Sequence, residues 1–194
     1  MRDFIPHKKM IYVLYGQPAS GKTTLGRLLA KHLKTPFIID GDEFREMFTN
    51  KNYGREGREE NISNANAVAT YLNKKSKGED WMCIYVRDKN DPNSIQGITV
   101  NSETDVILCL VNPYKHLRDK LRENNQGQIV EVLLKSNREL RKEYHVEDFE
   151  DGVPNYEMNT DREVEDSWAE LKSALEIKNN LDKLPPEGSE GGHY

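Results

Sequence analysis

The sequence predicts a three-layer α/β/α fold with a mainly parallel β-sheet, and three observations predict it. First, short apolar segments alternate along the chain with segments of helical periodicity. Second, a glycine-rich turn separates the first apolar segment from the first helical one. Third, 194 residues are enough for one α/β domain with a sizeable buried core. Strands that alternate with helices form parallel sheets that are covered by helices on both faces.

The glycine-rich turn, residues 16–23, matches the pattern G-x-x-x-x-G-K-[ST]. An apolar segment rich in β-branched and aromatic residues, 10–15, precedes it, and residues 24–33 carry apolar side chains at helical spacing. Strand, glycine-rich turn and helix are the context in which this pattern binds phosphate. The sequence therefore predicts a P-loop NTPase fold that binds a nucleoside triphosphate. The predicted phosphate-binding residues are Gly16, Gln17, Pro18, Ala19, Ser20, Gly21, Lys22, Thr23 and Thr24.

The residue types of the P-loop predict the role of each position. Gly16 and Gly21 let backbone N–H groups close around phosphate oxygens at a helix N-terminus, where the helix dipole favours negative charge. Lys22 is predicted to reach the β- and γ-phosphates of ATP, and the Thr23 hydroxyl to bind Mg²⁺. ATP and Mg²⁺ are the predicted cofactors, and Lys22 is the first predicted catalytic residue.

Composition and charge restrict the kinds of partner that the chain is predicted to bind. A net charge of −5 disfavours a protein that coats nucleic acid, although a local basic groove is compatible with it. No apolar run approaches the roughly 18 residues that a membrane span needs, and residues 11–15 are too short for the apolar region of a signal peptide. Cys83 and Cys109 lie in apolar segments that are predicted to be neighbouring strands with free buried thiols. The sequence predicts a cytoplasmic protein without a membrane partner.

Further segments complete the predicted order of elements. Strands are predicted at 36–40, 81–86 and 104–111, and helices at 43–48, 58–77, 113–123 and 161–175. The segment 128–144 fits a strand or a helix, and its charges favour a helix. Turn signals over 88–97 predict a loop. Residues 1–183 are predicted to form one domain with a lid-like region within 112–158, and residues 184–194 a disordered tail.

A second set of polar residues follows the strand that is predicted beside the P-loop strand. Asp40 and Asp42 flank a glycine at the carboxyl end of that strand, where open α/β sheets bind ligands. One carboxylate can orient or deprotonate an acceptor hydroxyl, and the other can hold the Mg²⁺ shell. Arg45 follows one helical turn later, and Arg58 and Asn61 share a face of the next helix. These cationic and amide groups suit an acceptor that bears phosphate or sulfate, and the two aspartates complete the predicted catalytic set.

Residues 40–61 resemble those of the adenylylsulfate kinases, small P-loop enzymes that phosphorylate the 3′-hydroxyl of adenosine 5′-phosphosulfate (APS). That family has a second strand ending in D-G-D-N-[IV]-R, then a stretch like N-K-N-L-G, then a helix beginning D-R-E-E-N-I. This chain has D-G-D-E-F-R at 40–45, N-K-N-Y-G at 50–54 and G-R-E-E-N-I at 57–62. The three motifs thus occur in the same order as in the family, and the distances between them along the chain are nearly the same.

The resemblance implies an activity and a role for each of these residues. The chain would transfer the γ-phosphoryl group of ATP to the 3′-hydroxyl of APS, a reaction of sulfate assimilation. Asp40 and Asp42 would serve catalysis and the positioning of the acceptor. Arg45, Arg58 and Asn61 would hold the phosphosulfate and the nucleotide of the acceptor.

The chain departs from the family's pattern after residue 62. The Phe-Ile-Ser-Pro that the family carries after its third strand does not follow the predicted third strand, 81–86, and the family's glycine- and lysine-rich lid is not recognisable. The same chemistry on another nucleoside or nucleotide, or on a hydroxyl of DNA or RNA, therefore stays an alternative, with nucleic acid less favoured. An ATP-dependent switch without an acceptor is a further alternative, which the paired carboxylates disfavour. The sequence is compatible with a homodimer.

Several residues near these motifs also have a structural interpretation. Asp42 can cap a helix that begins at Glu43, and Asp88 is as readily a loop residue as a metal-binding carboxylate. Phe48 and Tyr53 fit either the flank of an adenine or ordinary packing. Basic residues in the later part of the chain form either an exposed helical surface or a lid that screens the transferring charge: Arg118, Arg122, Lys135, Arg138, Arg141 and Lys142.

Overall fold

A computed structural model describes residues 9–75, 82–87, 95–100, 104–138 and 140–181, and for residues 75, 82–87, 95–100 and 176–181 it describes the backbone alone. The strands are β1 Ile11–Tyr15, β2 Ile38–Asp40, β3 Met82–Arg87, β4 Ile95–Val100, β5 Val106–Leu110, β6 Ile129–Lys135 and β7 Tyr156–Asn159. The helices are α1 Lys22–Leu33, α2 Gly41–Met47, α3 Arg55–Lys75, α4 Lys115–Asn124 and α5 Val164–Leu181.

Five of the strands form one parallel sheet in the order β2-β5-β1-β6-β7. Every residue of β1 and of β5 is buried, as expected of central parallel strands that helices cover on both faces. Along β1, Val13 and Tyr15 pack into a cluster with side chains of α3 and α4, and Leu14 packs into a second cluster with side chains of α1 and α5. The predicted three-layer α/β/α architecture with a parallel sheet is confirmed.

The prediction of a helix over 128–144 is wrong, because β6 occupies the first half of that segment. β6 pairs with β1 in parallel, and its side chains Val130, Val132 and Leu134 are buried on the α1 and α5 side. The charges that favoured a helix belong to the chain after the strand, apart from Lys135 at its exposed end and Glu131. That carboxylate is 1% exposed and pairs with Arg122 of α4, so it does not prevent the strand from being buried.

The third predicted strand exists but does not join the main sheet. β3 pairs in antiparallel register with β4 in a separate two-stranded sheet, and the predicted loop over 88–97 therefore overlaps the start of a strand. Cys83 and Cys109 consequently lie in different sheets, and the prediction of neighbouring strands is wrong. Periodicity identifies an extended segment but does not say which strand it pairs with. In chain order, the third strand of the main sheet is β5.

The start of α2 differs from the prediction by two residues, and the reason is its cap. Asp40 is the N-cap, and its side chain accepts a hydrogen bond from the backbone N–H of Asp42. The prediction that Asp42 could cap a helix from Glu43 is therefore wrong. Asp88 and the predicted tail, 184–194, lie outside the described residues. Among the helices described here, none has the length and apolar character that crossing a bilayer requires.

Arg118 of α4 is fully buried and holds the carboxyl edge of the sheet together. Its guanidinium donates hydrogen bonds to the backbone oxygens of Asn112 (2.8 Å), Glu150 (2.7 Å) and Asp151 (3.1 Å). The same group lies 5.2 Å from the centroid of the Tyr15 ring. One side chain thus joins the turn after β5 to the chain between β6 and β7. This member of the predicted basic set is structural.

We expect Arg118→Ala to lower the free energy of unfolding by about 2–4 kcal/mol, because three carbonyl oxygens lose a charged donor. Urea unfolding followed by circular dichroism measures this change. Lys120→Ala, at an exposed position of the same helix, is the control and should change stability by less than about 0.5 kcal/mol. Equal stability of the two variants would contradict the structural role of Arg118.

Candidate active site

A pocket of about 300 Å³ opens at the carboxyl ends of β1, β2 and β5. This is the edge of a parallel sheet at which α/β folds bind ligands. Side chains from the P-loop, from α2 and α3, and from the chain between β6 and β7 line it. Eleven residues that the sequence predicted for the site line it: Pro18, Ala19, Gly21, Lys22, Thr23, Thr24, Asp40, Asp42, Arg45, Arg58 and Asn61.

The backbone of the P-loop needs its two glycines. Gly16 has a φ of 148°, and a Cβ atom there would lie 2.2 Å from the backbone oxygen of Leu134. Gly21 has a φ of 86° and is the N-cap of α1. Both positions favour glycine over residues with side chains. The loop therefore presents the N-terminus of a 12-residue helix to the pocket, which is the arrangement that binds phosphate.

Lys22 is buried against oxygen atoms of its own loop. Its Nζ donates to the backbone oxygen of Gln17 (2.6 Å) and to Ser20 Oγ (3.2 Å). Burial lowers the pKa of Lys22 to about 8. A lysine whose ammonium is already desolvated in this way binds an anion more strongly than an exposed lysine does, because little water has to be removed.

The hydroxyl of Thr23 and the carboxylate of Asp40 are in direct contact. Thr23 Oγ1 donates to Asp40 Oδ2 (2.5 Å), while Asp40 Oδ1 accepts from the N–H of Asp42 (2.9 Å). Hydroxyl and carboxylate oxygens are the ligands that Mg²⁺ prefers, and in phosphoryl-transfer sites Mg²⁺ takes further ligands from water and phosphate. The two side chains are thus suited to hold Mg²⁺ beside the P-loop.

Asp42 faces an arginine from a distant part of the chain. Arg141 Nη1 lies 3.0 Å from Asp42 Oδ2, and the guanidinium of Arg141 lies 5.3 Å from the centroid of the Tyr144 ring. Both members of this ion pair are about half exposed. Arg141 belongs to the connection between β6 and β7, residues 136–155, which we call the β6–β7 connection.

The two predicted acceptor-binding arginines are held by backbone oxygens of the pocket wall. Arg45 is buried and donates to the backbone oxygen of Asn52 (2.8 Å), and its guanidinium lies 4.5 Å from the centroid of the Tyr53 ring. Arg58 donates to the backbone oxygens of Tyr53 (2.7 Å) and Tyr144 (3.0 Å). Burial lowers the pKa of Arg45 from its ordinary value. Tyr53, for which the sequence left two interpretations open, lines the pocket.

The basic residues between 118 and 142 separate into two groups. Arg138 and Arg141 line the pocket. Arg122 forms its ion pair with buried Glu131, and Lys135 pairs with Glu157 on β7, so these two serve the sheet, as Arg118 does. The lid-like region predicted within 112–158 is likewise divided. It includes α4, β6 and most of β7, whereas the residues within it that line the pocket are Asn112, Pro113 and three residues of the β6–β7 connection.

Asn112, Pro113 and Tyr144 also line the pocket but were not predicted as site residues. Asn112 and Pro113 follow β5, the third strand of the main sheet in chain order, after one intervening residue. Because residues 81–86 were predicted to be the third strand of the main sheet, the residues after β5 were not considered for the site. The Asn-Pro pair after an apolar strand was the available signal.

Gln17 connects the P-loop to the β6–β7 connection. Its side-chain Nε2 donates to the backbone oxygen of Val146 (2.8 Å), and its Oε1 accepts from the backbone N–H of Val146 (3.0 Å). Gln17 was predicted to bind phosphate as part of the P-loop, and these two bonds are made by its side chain. Val146 is buried. The connection is thereby anchored over the loop that is expected to hold phosphate.

The parallel sheet, the P-loop and the paired carboxylates beside it define a P-loop phosphate-binding protein. Residues 15–128 match the family described as an AAA domain, AAA_17, and since this is more than half of the chain, the protein belongs to that family. A cytidylate kinase from Pyrobaculum arsenaticum is 48% identical over 40 residues, 21% of this chain. The match spans 22% of that kinase, about a fifth of its length.

Solved structures of kinases share the fold. An APS kinase from Mycobacterium tuberculosis, solved in complex with AMPPNP and APS, has a TM-score of 0.62 and 15% identity, covering 88% of this chain and 99% of its own. A gluconokinase from Sinorhizobium meliloti has a TM-score of 0.56 and 16% identity, covering 91% of this chain and 97% of its own. At such identities the likeness extends to the fold. The protein therefore has the fold of P-loop kinases of nucleotides and small molecules.

We expect Gln17→Leu to speed hydrogen exchange of the Val146 amide about tenfold or more, because that amide loses its side-chain acceptor and the connection loses its anchor. Exchange followed by NMR measures this. The amide of Val13, at the centre of β1, serves as an internal reference that should not change. Gln126→Leu, the same substitution at an exposed turn, should leave Val146 as in the wild type. Unchanged exchange in Gln17→Leu would show that the connection does not depend on Gln17.

Proposed function

We propose that the protein transfers the γ-phosphoryl group of ATP to a hydroxyl of a small anionic acceptor, and that the acceptor is APS. The observation that carries this proposal is the position of Asp40. One carboxylate contacts the P-loop threonine and begins the helix that carries Asp42 and Arg45. It therefore stands between a phosphate-binding loop and a set of acceptor-binding groups.

The donor half of the proposed site consists of the P-loop. The N–H groups at the start of α1 and the ammonium of Lys22 would bind the phosphates of ATP. Lys22 would leave its present acceptors, the Gln17 carbonyl and the Ser20 hydroxyl, for phosphate oxygens. Thr23 would hold Mg²⁺, which supplies neutralising charge on the phosphate oxygens when it is bound, and Asp40 is left for the acceptor.

The acceptor half provides a base and positive charge. Asp40 would accept the proton of the acceptor hydroxyl while the bond from that oxygen to the γ-phosphorus forms. The bond from the γ-phosphorus to the bridging oxygen breaks at the same time, and ADP leaves. Arg141 and Arg138 would screen the charge of the transferring group, because both side chains line the same pocket as Lys22. Asp42 would position the acceptor.

Two kinds of support favour APS. The residues that resemble the adenylylsulfate kinases, Asp40, Asp42, Arg45, Arg58 and Asn61, line one pocket instead of being scattered. An APS kinase is also among the structures that share this fold over nearly the whole chain. APS carries a phosphate joined to a sulfate, and these two anionic groups suit a wall that carries several guanidinium groups.

A nucleoside monophosphate is the second candidate acceptor, and a specific observation favours it. The relative with 48% identity over 40 residues is a cytidylate kinase. In that reaction the acceptor oxygen belongs to a phosphate and not to a hydroxyl, so a base such as Asp40 would not be needed for proton removal. The two candidates thus differ in their dependence on Asp40.

The experiment that tests the proposal measures ADP release from MgATP with APS, with cytidine 5′-monophosphate and with a panel of sugars, nucleosides and hydroxyl-bearing oligonucleotides. We expect stimulation by APS. Stimulation by cytidine 5′-monophosphate alone would assign the second candidate, and release that no acceptor stimulates would contradict the kinase proposal.

Asp40→Asn tests the role of the base in the same assay. Asparagine keeps the N-cap of α2, because it can still accept a hydrogen bond from the N–H of Asp42. We expect turnover with APS to fall by about a hundredfold or more, with ATP affinity reduced much less. Lys22→Ala should abolish turnover with either acceptor while the protein stays folded. Equal losses of turnover and ATP affinity in Asp40→Asn would indicate that Asp40 is structural.

The pKa of Lys22 predicts how ATP binding depends on pH. In the free protein the ammonium loses its proton as the pH rises through about 8, whereas bound phosphates would keep it protonated to a higher pH. Binding then takes up a proton above pH 8, and we expect the Kd for a non-hydrolysable ATP analogue to rise about tenfold between pH 7.5 and 9. Titration calorimetry in two buffers of different ionisation enthalpy measures both the Kd and the proton uptake. Lys22→Met should bind more weakly and without this pH dependence. A wild-type Kd that stays constant over the range would overturn the assignment of Lys22.

A further inference from the structure

Two asparagines of the pocket carry buried amide atoms without a hydrogen-bond partner in the described part of the chain. Asn112 is 0% exposed, and neither its Oδ1 nor its Nδ2 has a partner. Asn61 is 5% exposed; its Nδ2 donates to the backbone oxygen of Gly41 (3.1 Å), and its Oδ1 has no partner. Both residues line the pocket. Because buried polar atoms are nearly always paired, these atoms point to a ligand that completes them.

The hydrogen-bonding character of these atoms follows from their surroundings. The backbone oxygen of Gly41 can only accept, so the NH₂ group of Asn61 must face it and the amide oxygen must face away. That oxygen can only accept a hydrogen bond. Asn112 presents one acceptor and one donor group in either orientation of its amide. The pocket thus offers two amide oxygens that require donors, and one NH₂ group that requires an acceptor.

Asn112 is held in place before any ligand binds. Its backbone is in the left-handed region, with a φ of 47°, which asparagine adopts more readily than most residues. Its backbone oxygen accepts from buried Arg118 (2.8 Å), and the backbone oxygen of the next residue, Pro113, accepts from the N–H of Glu150 (2.9 Å). A side chain fixed in this way loses little entropy on binding, so its hydrogen bonds contribute fully to selectivity.

Phosphate and sulfate oxygens cannot satisfy an amide oxygen, because at neutral pH they act almost entirely as acceptors. Hydroxyl and amino groups can. We propose that Asn61 and Asn112 bind hydroxyl or amino groups of the acceptor, such as those of a ribose or a nucleobase, while the arginines of the pocket bind its anionic groups. This inference rests on the proposed function and refines it. It also narrows the role that the resemblance implies for Asn61, from the phosphosulfate and the nucleotide of the acceptor to its nucleotide part.

The chain offers a matched control on the same helix as Asn61. Asn66 of α3 also donates its Nδ2 to a backbone oxygen, that of Leu117 (3.3 Å), and also has a buried Oδ1 without a partner among the described residues. It does not line the pocket. Asn66→Ala therefore reproduces the loss of such an amide without affecting the proposed contact. For Asn112 the appropriate replacement is glycine, because a φ of 47° would strain alanine.

The test measures binding by titration calorimetry on the full chain, saturated with a non-hydrolysable ATP analogue so that added probes enter the acceptor half. The probes are APS, cytidine 5′-monophosphate and inorganic pyrophosphate. The first two carry ribose hydroxyls and an amino group, whereas pyrophosphate carries anionic oxygens. We expect Asn61→Ala and Asn112→Gly to weaken binding of the nucleotide that the wild type binds by about tenfold to a hundredfold, and to change pyrophosphate binding by less than about twofold. Asn66→Ala should bind all probes as the wild type does, and thermal melting checks that each variant is folded.

The outcomes separate the inference from the function on which it rests. A wild-type protein that takes up the ATP analogue but neither nucleotide overturns the proposed acceptor class and the inference with it. Wild-type binding of a nucleotide that both pocket variants retain overturns the inference alone. Equal weakening of nucleotide and pyrophosphate also overturns it, because the asparagines would then act on the anionic groups or on the shape of the pocket.

Discussion

The contact between Asp40 and Thr23 is the interaction on which the arrangement of the site depends. One oxygen of the carboxylate accepts from the first turn of α1, and the other begins α2. Asp40 is 8% exposed, so both hydrogen bonds are made where water competes weakly. Because β2 is separated from β1 by β5, this buried carboxylate links the P-loop helix directly to the elements on the other side of the pocket. The Asp40–Thr23 contact therefore sets the distance between the P-loop side and the α2 side of the pocket.

The electrostatics of the pocket differ from those of the whole chain. The chain has a net charge of −5, yet the pocket contains Lys22, Arg45, Arg58 and two arginines of the β6–β7 connection against two aspartates. Burial lowers the pKa of Lys22 and of Arg45, which means that the fold has already removed much of their water. A desolvated cation in a pocket of low polarisability attracts an anion strongly. Binding of phosphates therefore depends on local placement and not on net charge.

Most of the fold and the main parts of the site could be predicted from the sequence, because both depend on local patterns. The P-loop, its strand and its helix are contiguous in sequence, and so are Asp40, Asp42 and Arg45. The errors concern pairing between distant segments. Whether 81–86 joined the main sheet depended on its partner, 95–100, which has a glycine at its centre and overlaps the turn signals of the sequence. That error displaced the third strand, and Asn112 and Pro113 were missed as a result.

Side-chain roles within the basic segment could not be predicted for a related reason. Arg118, Arg138 and Arg141 look alike in sequence, but one lies under the sheet edge and two face the pocket. Spacing along a helix could not distinguish them, because residues 135–138 and 140–141 are not helical. Gln17 is a similar case. Its position in the P-loop gave no indication that its side chain reaches a backbone group 129 residues further along the chain.

The β6–β7 connection contacts both halves of the pocket. The contacts on each side must break before the connection can move away from the pocket. Gln17 holds it to the P-loop, and Arg58 and Asp42 hold it to the acceptor half through Tyr144 and Arg141. Exposed ion pairs such as that of Asp42 contribute little, whereas the two bonds to buried Val146 contribute about 1 kcal/mol each. The Gln17 bonds are therefore a stronger anchor than the Asp42–Arg141 pair. An acceptor that replaced Arg141 as the partner of Asp42 would break only that weaker pair and leave the connection attached at Gln17 and at Arg58.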